Sequence, residues 1–447
     1  MTSGAVALIP CVDMYWRRGR LPGLWDHVAV ERLLKGGGGA PVNERVVAQA
    51  RNQPTRYLRP TSVNMKFSLC CTAAMAALTA SATKTKPFFY KGHDLSSLGT
   101  MEASDNIYVD TARGNQTRPA DDILADGGMN GVRLRLWVDP EGGTNGFEYT
   151  LALAQRFQAK GQRLYLDFHF TDSWADPQKQ PVPAAWPTPD QGVEALAETL
   201  RAYVNDTLVA FSEAGVNFDI VALGNEVRHG ILWPLGYVDV DTDDAGLAAN
   251  FTNLATLYTA AREGVEDANS CTRGRKQPQI MIHVDNGWNL TLQQRWYGAL
   301  EANGVRRSAW DLFGVSFYPF YGTSATLANL RSTLGWLARH YGKPVHVAET
   351  DYPAICNGQY NPIPESSEPE IPYDVGGQIE WMREVIQVVR EVPRGLGHGV
   401  WYWEPAWLNN TSLGSACEDA ILFRPDYSGW PKTVGYSRPS TDFYLNV

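Results

Sequence analysis

The sequence predicts an α/β fold, a (β/α)8 barrel of the TIM type that forms one domain over residues 83–447. Three observations carry this reading. Short runs rich in β-branched and aromatic residues recur eight times from Phe88 onward. Stretches with apolar residues spaced three and four apart, the mark of a one-sided helix, lie between most of them. No Gly-rich phosphate loop follows the first run, which counts against an open doubly wound sheet.

The first strand is expected at FFYKGHD (88–94) and the second at VRLRLWV (132–138). In the second, Arg133 and Arg135 alternate with apolar residues and so share a face. The helix EYTLALAQRFQAKG follows and stops at Gly161. The third strand is RLYLDFHF (163–170), followed by the helix EALAETLRAYVNDTLVAFSEAG, which stops at Gly215. The fourth is FDIVALGNE (218–226), with LAANFTNLATLYTAAREGVEDA as its helix. The fifth, sixth and seventh are IMIHVDN (280–286), FGVSFYP (313–319) and VHVAETD (345–351). The stretch 353–374, rich in Pro, Ser and Glu, is expected as a rim loop near the site. The helix GGQIEWMREVIQVVREV then leads to the last strand, VWYWEP (400–405).

Composition excludes several classes. With 44% apolar and 19% charged residues the chain is globular. No apolar run reaches the ~18–20 residues of a membrane span, so no membrane partner is expected. A net charge of −9 argues against nucleic acid as a partner. The 15 Trp suit surfaces that stack on sugar rings.

The N-terminal residues read differently. Residues 1–64 carry a net +5, whereas 83–447 carry −15. Met65-Lys66 opens FSLCCTAAMAALTASA, a basic start and a short apolar stretch ending in Ala80-Ser81-Ala82, the pattern of a secretory signal peptide over 65–82. Residues 1–64 are then an over-extended reading frame, or else a disordered extension. Secretion fits the Asn-x-Ser/Thr sequons at Asn115, Asn205, Asn250, Asn289 and the adjacent Asn409 and Asn410, of which Asn409 is taken as the acceptor. Three Cys follow residue 82. Cys356 and Cys417 fall in loops at one rim and are the expected disulfide, leaving Cys271 free, although spacing alone does not fix connectivity.

Active sites of such barrels lie at the C-terminal strand ends. Strand 4 ends Asn225-Glu226 and strand 7 ends Glu349-Thr350-Asp351. Paired carboxylates across a sugar cleft are the equipment of a glycosidase, and in a retaining enzyme they stand ~5–5.5 Å apart. The alternative for either Glu alone is a rim salt bridge or a helix cap. Further stretches are specific as a set: GHDLSSL, RLRLWVDP, LYLDFHFTDSWADPQKQ, GNEVRHGILWPLG, IMIHVDNGW, FGVSFYPFY, VAETDYP and YWEPAW, in consistent order over 88–423. They resemble the arabinogalactan endo-β-1,4-galactanases, glycoside hydrolase family 53, within the clan of retaining barrel glycosidases. The resemblance implies Glu226 as acid/base and Glu349 as nucleophile, and endo-cleavage of β-1,4-galactan in pectin side chains. It also suggests a Cys356–Cys417 bridge where bacterial relatives use calcium. Two features depart from the family pattern: the 64-residue leader, and FHFTDSWADP where an aliphatic residue is expected nearer the His.

Other strand-end residues are candidates for holding substrate. Arg133 or Arg135 could keep the nucleophile ionised, or could form a structural ion pair. Asn225 could bond the sugar 2-hydroxyl. His169, Asp172 and Trp174 crowd the end of strand 3, Asp285 and Asn286 end strand 5, and Tyr318 could reach Glu349. Trp401, Trp403 and Trp407, on and after strand 8, are either core or a sugar platform; Trp401 and Trp403 share a face, and Trp403, nearer the mouth, is the better ligand candidate, while Glu404 looks like an orienting group. No metal is expected, because 408–425 shows no calcium-type Asp cluster, and the chemistry needs no cofactor. The expected partner is the polysaccharide, the expected state a monomer. The same Glu pair would also serve on mannan, glucan or xylan, and a barrel with a disabled pair would be a sugar-binding protein only.

Overall fold

The computed structural model describes residues 87–358, 363–408, 417, 419–445 and 447. The leader (1–64), the signal segment (65–82) and the sequons at Asn409 and Asn410 lie outside them. Eight parallel strands close into a barrel: β1 (Tyr90–Asp94), β2 (Gly131–Leu136), β3 (Arg163–Phe168), β4 (Ile220–Leu223), β5 (Gln279–Val284), β6 (Leu312–Ser316), β7 (Val345–Thr350) and β8 (Gly397–Tyr402). β1 pairs with both β2 and β8, so no barrel edge is left open. The helices are α1 (Leu98–Ala103), α2 (Ala120–Asp126), α3 (Phe147–Ala159), α4 (Gly192–Glu213), α5 (Asp244–Cys271), α6 (Leu290–Ala302), α7 (Leu327–Tyr341) and α8 (Val375–Arg390).

Several helix starts are fixed by a side chain that accepts an otherwise orphaned N–H. Asp243 caps α5, Asn289 α6, Thr326 α7 and Asp374 α8; such a cap contributes about 1 kcal/mol. On α8, Trp381, Met382, Val385, Ile386 and Val389 are buried. This is the face that the spacing in GGQIEWMREVIQVVREV marks.

The lumen is filled by Tyr90, Tyr165, Ile220, Ala222, Met281, Leu312, Ala348 and Trp401. Trp401 therefore belongs to the packed interior. A Cβ on Gly92 would stand 1.9 Å from its ring, so β1 needs glycine there. The seam between β1 and β8 is tied from outside. The Tyr444 hydroxyl bonds the carbonyls of Gly92 (2.8 Å) and Val400 (2.9 Å), and Lys91 Nζ donates to the Tyr444 carbonyl at 2.7 Å.

The strands end earlier than the alternation suggested, because the chain turns sharply at their C-terminal ends. Phe170, Glu226, Asn286 and Glu404 all have positive φ there (57°, 48°, 51° and 42°). Left-handed backbone at non-glycine residues is costly and clusters at functional sites. The loop after β7 does reach the rim: Ser367 N–H donates to the Pro319 carbonyl and Glu368 accepts from Leu327 N–H. A small sheet was not anticipated. Its strands run in the order Phe423–Asp426, Val434–Ser437, Ile107–Asp110 and Gln116–Thr117. Runs of two to four residues are too short to show a period.

Cys356 and Cys417 are bonded, with Cα atoms 4.9 Å apart. Cys271 is disulfide-bonded as well, which corrects the expectation of a free thiol. Among the sequons, Asn115 and Asn250 are exposed. Asn205 sits inside α4 with its side-chain oxygen buried and its Nδ2 donating to Asp206, so the fold argues against a glycan there.

Candidate active site

Lumen-facing residues of successive strands converge at the mouth. Arg133 on β2 is buried and is the hub. Its Nη1 pairs with Asp94 at 2.7 Å; its Nη2 pairs with Asp167 at 2.6 Å and with Glu349 at 2.6 Å. The same Nη2 donates to Asn225 Oδ1 at 2.9 Å, while Asn225 Nδ2 donates to the Ala175 carbonyl at 2.9 Å. Tyr318, past the end of β6, donates to Glu349 Oε2 at 2.9 Å. Both oxygens of Glu349 thus meet a donor, one of them a cation.

Glu226 has a different environment. Gly224 (φ 107°) and the left-handed turn at Glu226 itself swing it out of β4. Burial pushes its carboxyl well above the ordinary range, and the charges of Glu349 and Asp285 push the same way; a hydrogen bond from Ser316 opposes them. Burial raises Glu349 too, but Arg133 and the Tyr318 hydroxyl act against it. Of the two, Glu226 is the better place for a proton and Glu349 the better place for a charge.

Other predicted residues shape the walls. Arg135 is buried, pairs with Glu404 at 2.5 Å and Asp94 at 3.3 Å, and lies over the Trp174 ring at 4.5 Å. Trp174 stacks on Trp407 (centroids 6.1 Å, planes 19° apart) and stands 6.4 Å from Trp403. These three indoles form an aromatic wall backed by one guanidinium. Glu404 also accepts from the Ser97 amide and hydroxyl, and burial pushes it up to about 7, with Arg135 opposing. His169 is buried; its Nδ1 accepts from the Trp137 indole and the Ala175 amide, and its Nε2 lies 3.3 Å from Asp167. Burial lowers its pKa, so it is a neutral ring oriented by its neighbours. Asp172 holds two loops together, accepting from the amides of Asp139 (3.0 Å) and Ala184 (2.8 Å). Asp285 stands 3.4 Å from Arg228; burial pushes it up to about 7, against Arg228. Asn286 makes the turn into α6, its carbonyl accepting from Asn289 N–H.

Three contributors were missed by the reading of the sequence: Asp94, Asp167 and Asp351. Asp94 and Asp167 lie on the lumen side of their strands, and the alternation of Asp167 with Tyr165 and His169 could have revealed it. Trp407, read from the sequence as core or sugar platform, stands in the aromatic wall against Trp174 and Trp403. Asp351 is buried, and neither carboxyl oxygen has a hydrogen-bond partner among the described residues. The described residues hold no cluster of three or more His, Cys, Asp or Glu suited to a metal. Residues 409–416, part of the segment in which a calcium loop was looked for, lie outside them.

The family model for glycosyl hydrolase family 53 matches residues 90–431. The chain belongs to glycosyl hydrolase family 53. The arabinogalactan endo-β-1,4-galactanase of Humicola insolens is 40% identical over 341 residues, covering 75% of this chain and 95% of that protein. That of Aspergillus niger is 40% identical over 338 residues, 74% of this chain and 89% of that protein. A solved fungal β-1,4-galactanase superimposes with a TM-score of 0.71 at 37% identity, covering 80% of this chain and 99% of that one. The family 53 catalytic domain of Ignisphaera aggregans gives a TM-score of 0.66 at 27% identity, covering 80% and 95%. The chain is therefore a family 53 barrel hydrolase over nearly the full length of these relatives.

Proposed function

We propose that this family 53 protein is a secreted, endo-acting galactanase that hydrolyses β-1,4-galactosidic bonds of pectic (arabino)galactan with retention, Glu226 acting as acid/base and Glu349 as nucleophile. The observation that carries the roles is the asymmetry of the pair. Glu349 has a cation on one oxygen and a hydroxyl on the other; Glu226 has burial and like charges around it. The substrate follows from the family and from the names of its relatives.

In the first step a Glu349 oxygen attacks the anomeric carbon while protonated Glu226 gives its proton to the leaving oxygen. This breaks the glycosidic bond and leaves a covalent galactosyl ester. In the second, Glu226, now ionised, takes a proton from water; the hydroxide formed attacks the same carbon, expels Glu349 and restores both groups. Arg133 and Tyr318 stabilise the carboxylate that leaves. The remaining Asn225 amide hydrogen is available to the sugar 2-hydroxyl, a bond that strengthens in the transition state. Trp174, Trp403 and Trp407 offer ring faces to the sugars alongside.

The signal pattern at 65–82 supports secretion, with Met65 as the start of translation and glycans at the exposed Asn115 and Asn250. No described helix is long and apolar enough to cross a membrane. The test is reducing-end release on β-1,4-galactan beside mannan, xylan and β-glucan, with Glu349→Ala in parallel. Release from galactan alone, lost in the variant, is the expected result. Activity confined to another polymer overturns the substrate, and a folded protein that binds glycan but cuts none overturns the catalytic reading. N-terminal sequence of secreted protein beginning before Met65 overturns the leader assignment.

A further inference from the structure

We propose that the hairpin tip carrying Tyr427 and Trp430 is a second carbohydrate-binding site, one that holds a stretch of polymeric galactan outside the cleft. The inference rests on the substrate proposed above.

Trp430 is 64% exposed and Tyr427 38%, with ring centroids 6.4 Å apart. Ile107, 42% exposed, pairs in register with Val434 on the neighbouring strand. Three of the large exposed hydrophobic residues thus gather on one small sheet. The tip is held firmly. Its strands pair as far as Asp426 and Val434. The Trp430 amide donates to the Tyr427 carbonyl at 3.0 Å, and the Lys432 amide to the Gly429 carbonyl at 3.1 Å. The Ser428 amide donates to Asp426, and the Thr433 amide to Asn106 at 2.7 Å. A ring presented by a fixed backbone loses little freedom when it binds.

The chemistry selects the occupant. Two rings and one aliphatic side chain, edged by Asp426, Lys432 and Asp105, are too small for a protein interface, which covers ~800 Å² per partner. They do suit a pyranose, whose C–H face stacks on an aromatic ring while its hydroxyls meet the polar edge. Position agrees. The Tyr427 hydroxyl donates to the Leu408 carbonyl at 2.9 Å, and Leu408 follows Trp407 of the aromatic wall. The hairpin is thus anchored one residue from the aromatic wall, on the chain segment that leaves the cleft.

The test compares polymer with short substrate. In gels containing galactan, the Glu349→Gln protein should be retarded without digesting the matrix, and adding Trp430→Ala should abolish most of the retardation. Trp430→Phe should keep part of it. With Glu349 intact, Trp430→Ala should raise KM on long galactan by about two- to tenfold, the range of one aromatic stacking contact, and leave galactotetraose cleavage and thermal stability unchanged. Unchanged retardation and unchanged polymer KM in Trp430→Ala overturn the proposal. Tetraose cleavage by the unaltered protein reports separately on the activity: if it is absent, the functional reading fails whatever Trp430 does.

Discussion

Replacing Tyr318 by Phe removes a single interaction, the 2.9 Å hydrogen bond to Glu349 Oε2, and leaves the ring in place. A hydrogen bond to a charged group contributes about 1.5–3 kcal/mol. At about 1.4 kcal/mol per factor of ten, kcat/KM should fall roughly 10- to 150-fold. The pH profile should move as well. In the proposed mechanism Glu349 must be ionised to attack, and the hydroxyl favours the ionised form, opposing the rise that burial causes. Without it the Glu349 pKa rises further, so the acid limb of kcat/KM shifts to higher pH. The assay is reducing-end release on galactan from pH 3 to 8, with circular dichroism to confirm folding. A profile with an unmoved acid limb and a rate within about twofold would refute the assignment of Tyr318 as the group that keeps Glu349 charged.

Three further outcomes follow from described contacts. Arg133→Met takes from Asp94, Asp167 and Glu349 the one cation they share, and removing one partner of a buried ion pair costs about 3–5 kcal/mol; urea unfolding that shows less than about 1 kcal/mol would contradict the hub. Burial holds the Asp351 carboxyl well above its usual range, with Glu349 adding to the effect. The folded state therefore binds the proton more tightly than the unfolded one, and Asp351 erodes stability as pH rises past about 4 towards its folded value. Asp351→Asn should accordingly gain melting temperature relative to the unaltered protein between pH 4 and 7, and a constant difference would exclude this. Cys417→Ser opens a loop of 61 residues, so stability should fall by about 4 kcal/mol on the chain-entropy scale, read by denaturant unfolding.

The barrel was legible because its strands are long enough to show alternation and its helices long enough to show a 3.6-residue period. Arg133 could be assigned to the lumen from that alternation alone; Glu349 could not, because it has the parity of the outward Val345 and Val347 and meets Arg133 only past a register shift between Val347 and Glu349. What escaped was whatever depends on contact between distant residues. Nothing in the sequence says that Arg135 faces Glu404 or that His169 is enclosed by Trp137 and Ala175. Asp172 has the composition of a sugar ligand but ties two loops together, because its neighbours offer backbone amides. The strand ends were overextended for a related reason: alternation continues through Phe170 and Glu226, while the backbone there already turns left-handed. Trp401 and Trp403 show the limit most plainly. They share a face, yet only depth along the barrel makes one filler and the other wall.

The tie at the β1–β8 seam has a consequence for biosynthesis. β1 and β8 are separated by some three hundred residues of chain, and Tyr444, which bonds both strands, follows them. A ribosome delivers residues in order, so β1 must wait with one open edge until nearly the whole domain has emerged. Until then its unpaired N–H and C=O groups can recruit strands of other chains. A product truncated just short of Tyr444 would keep every mouth residue described above and still lack the tie that holds the seam. Such a fragment should be lost to aggregation or proteolysis before any defect in its chemistry could be observed.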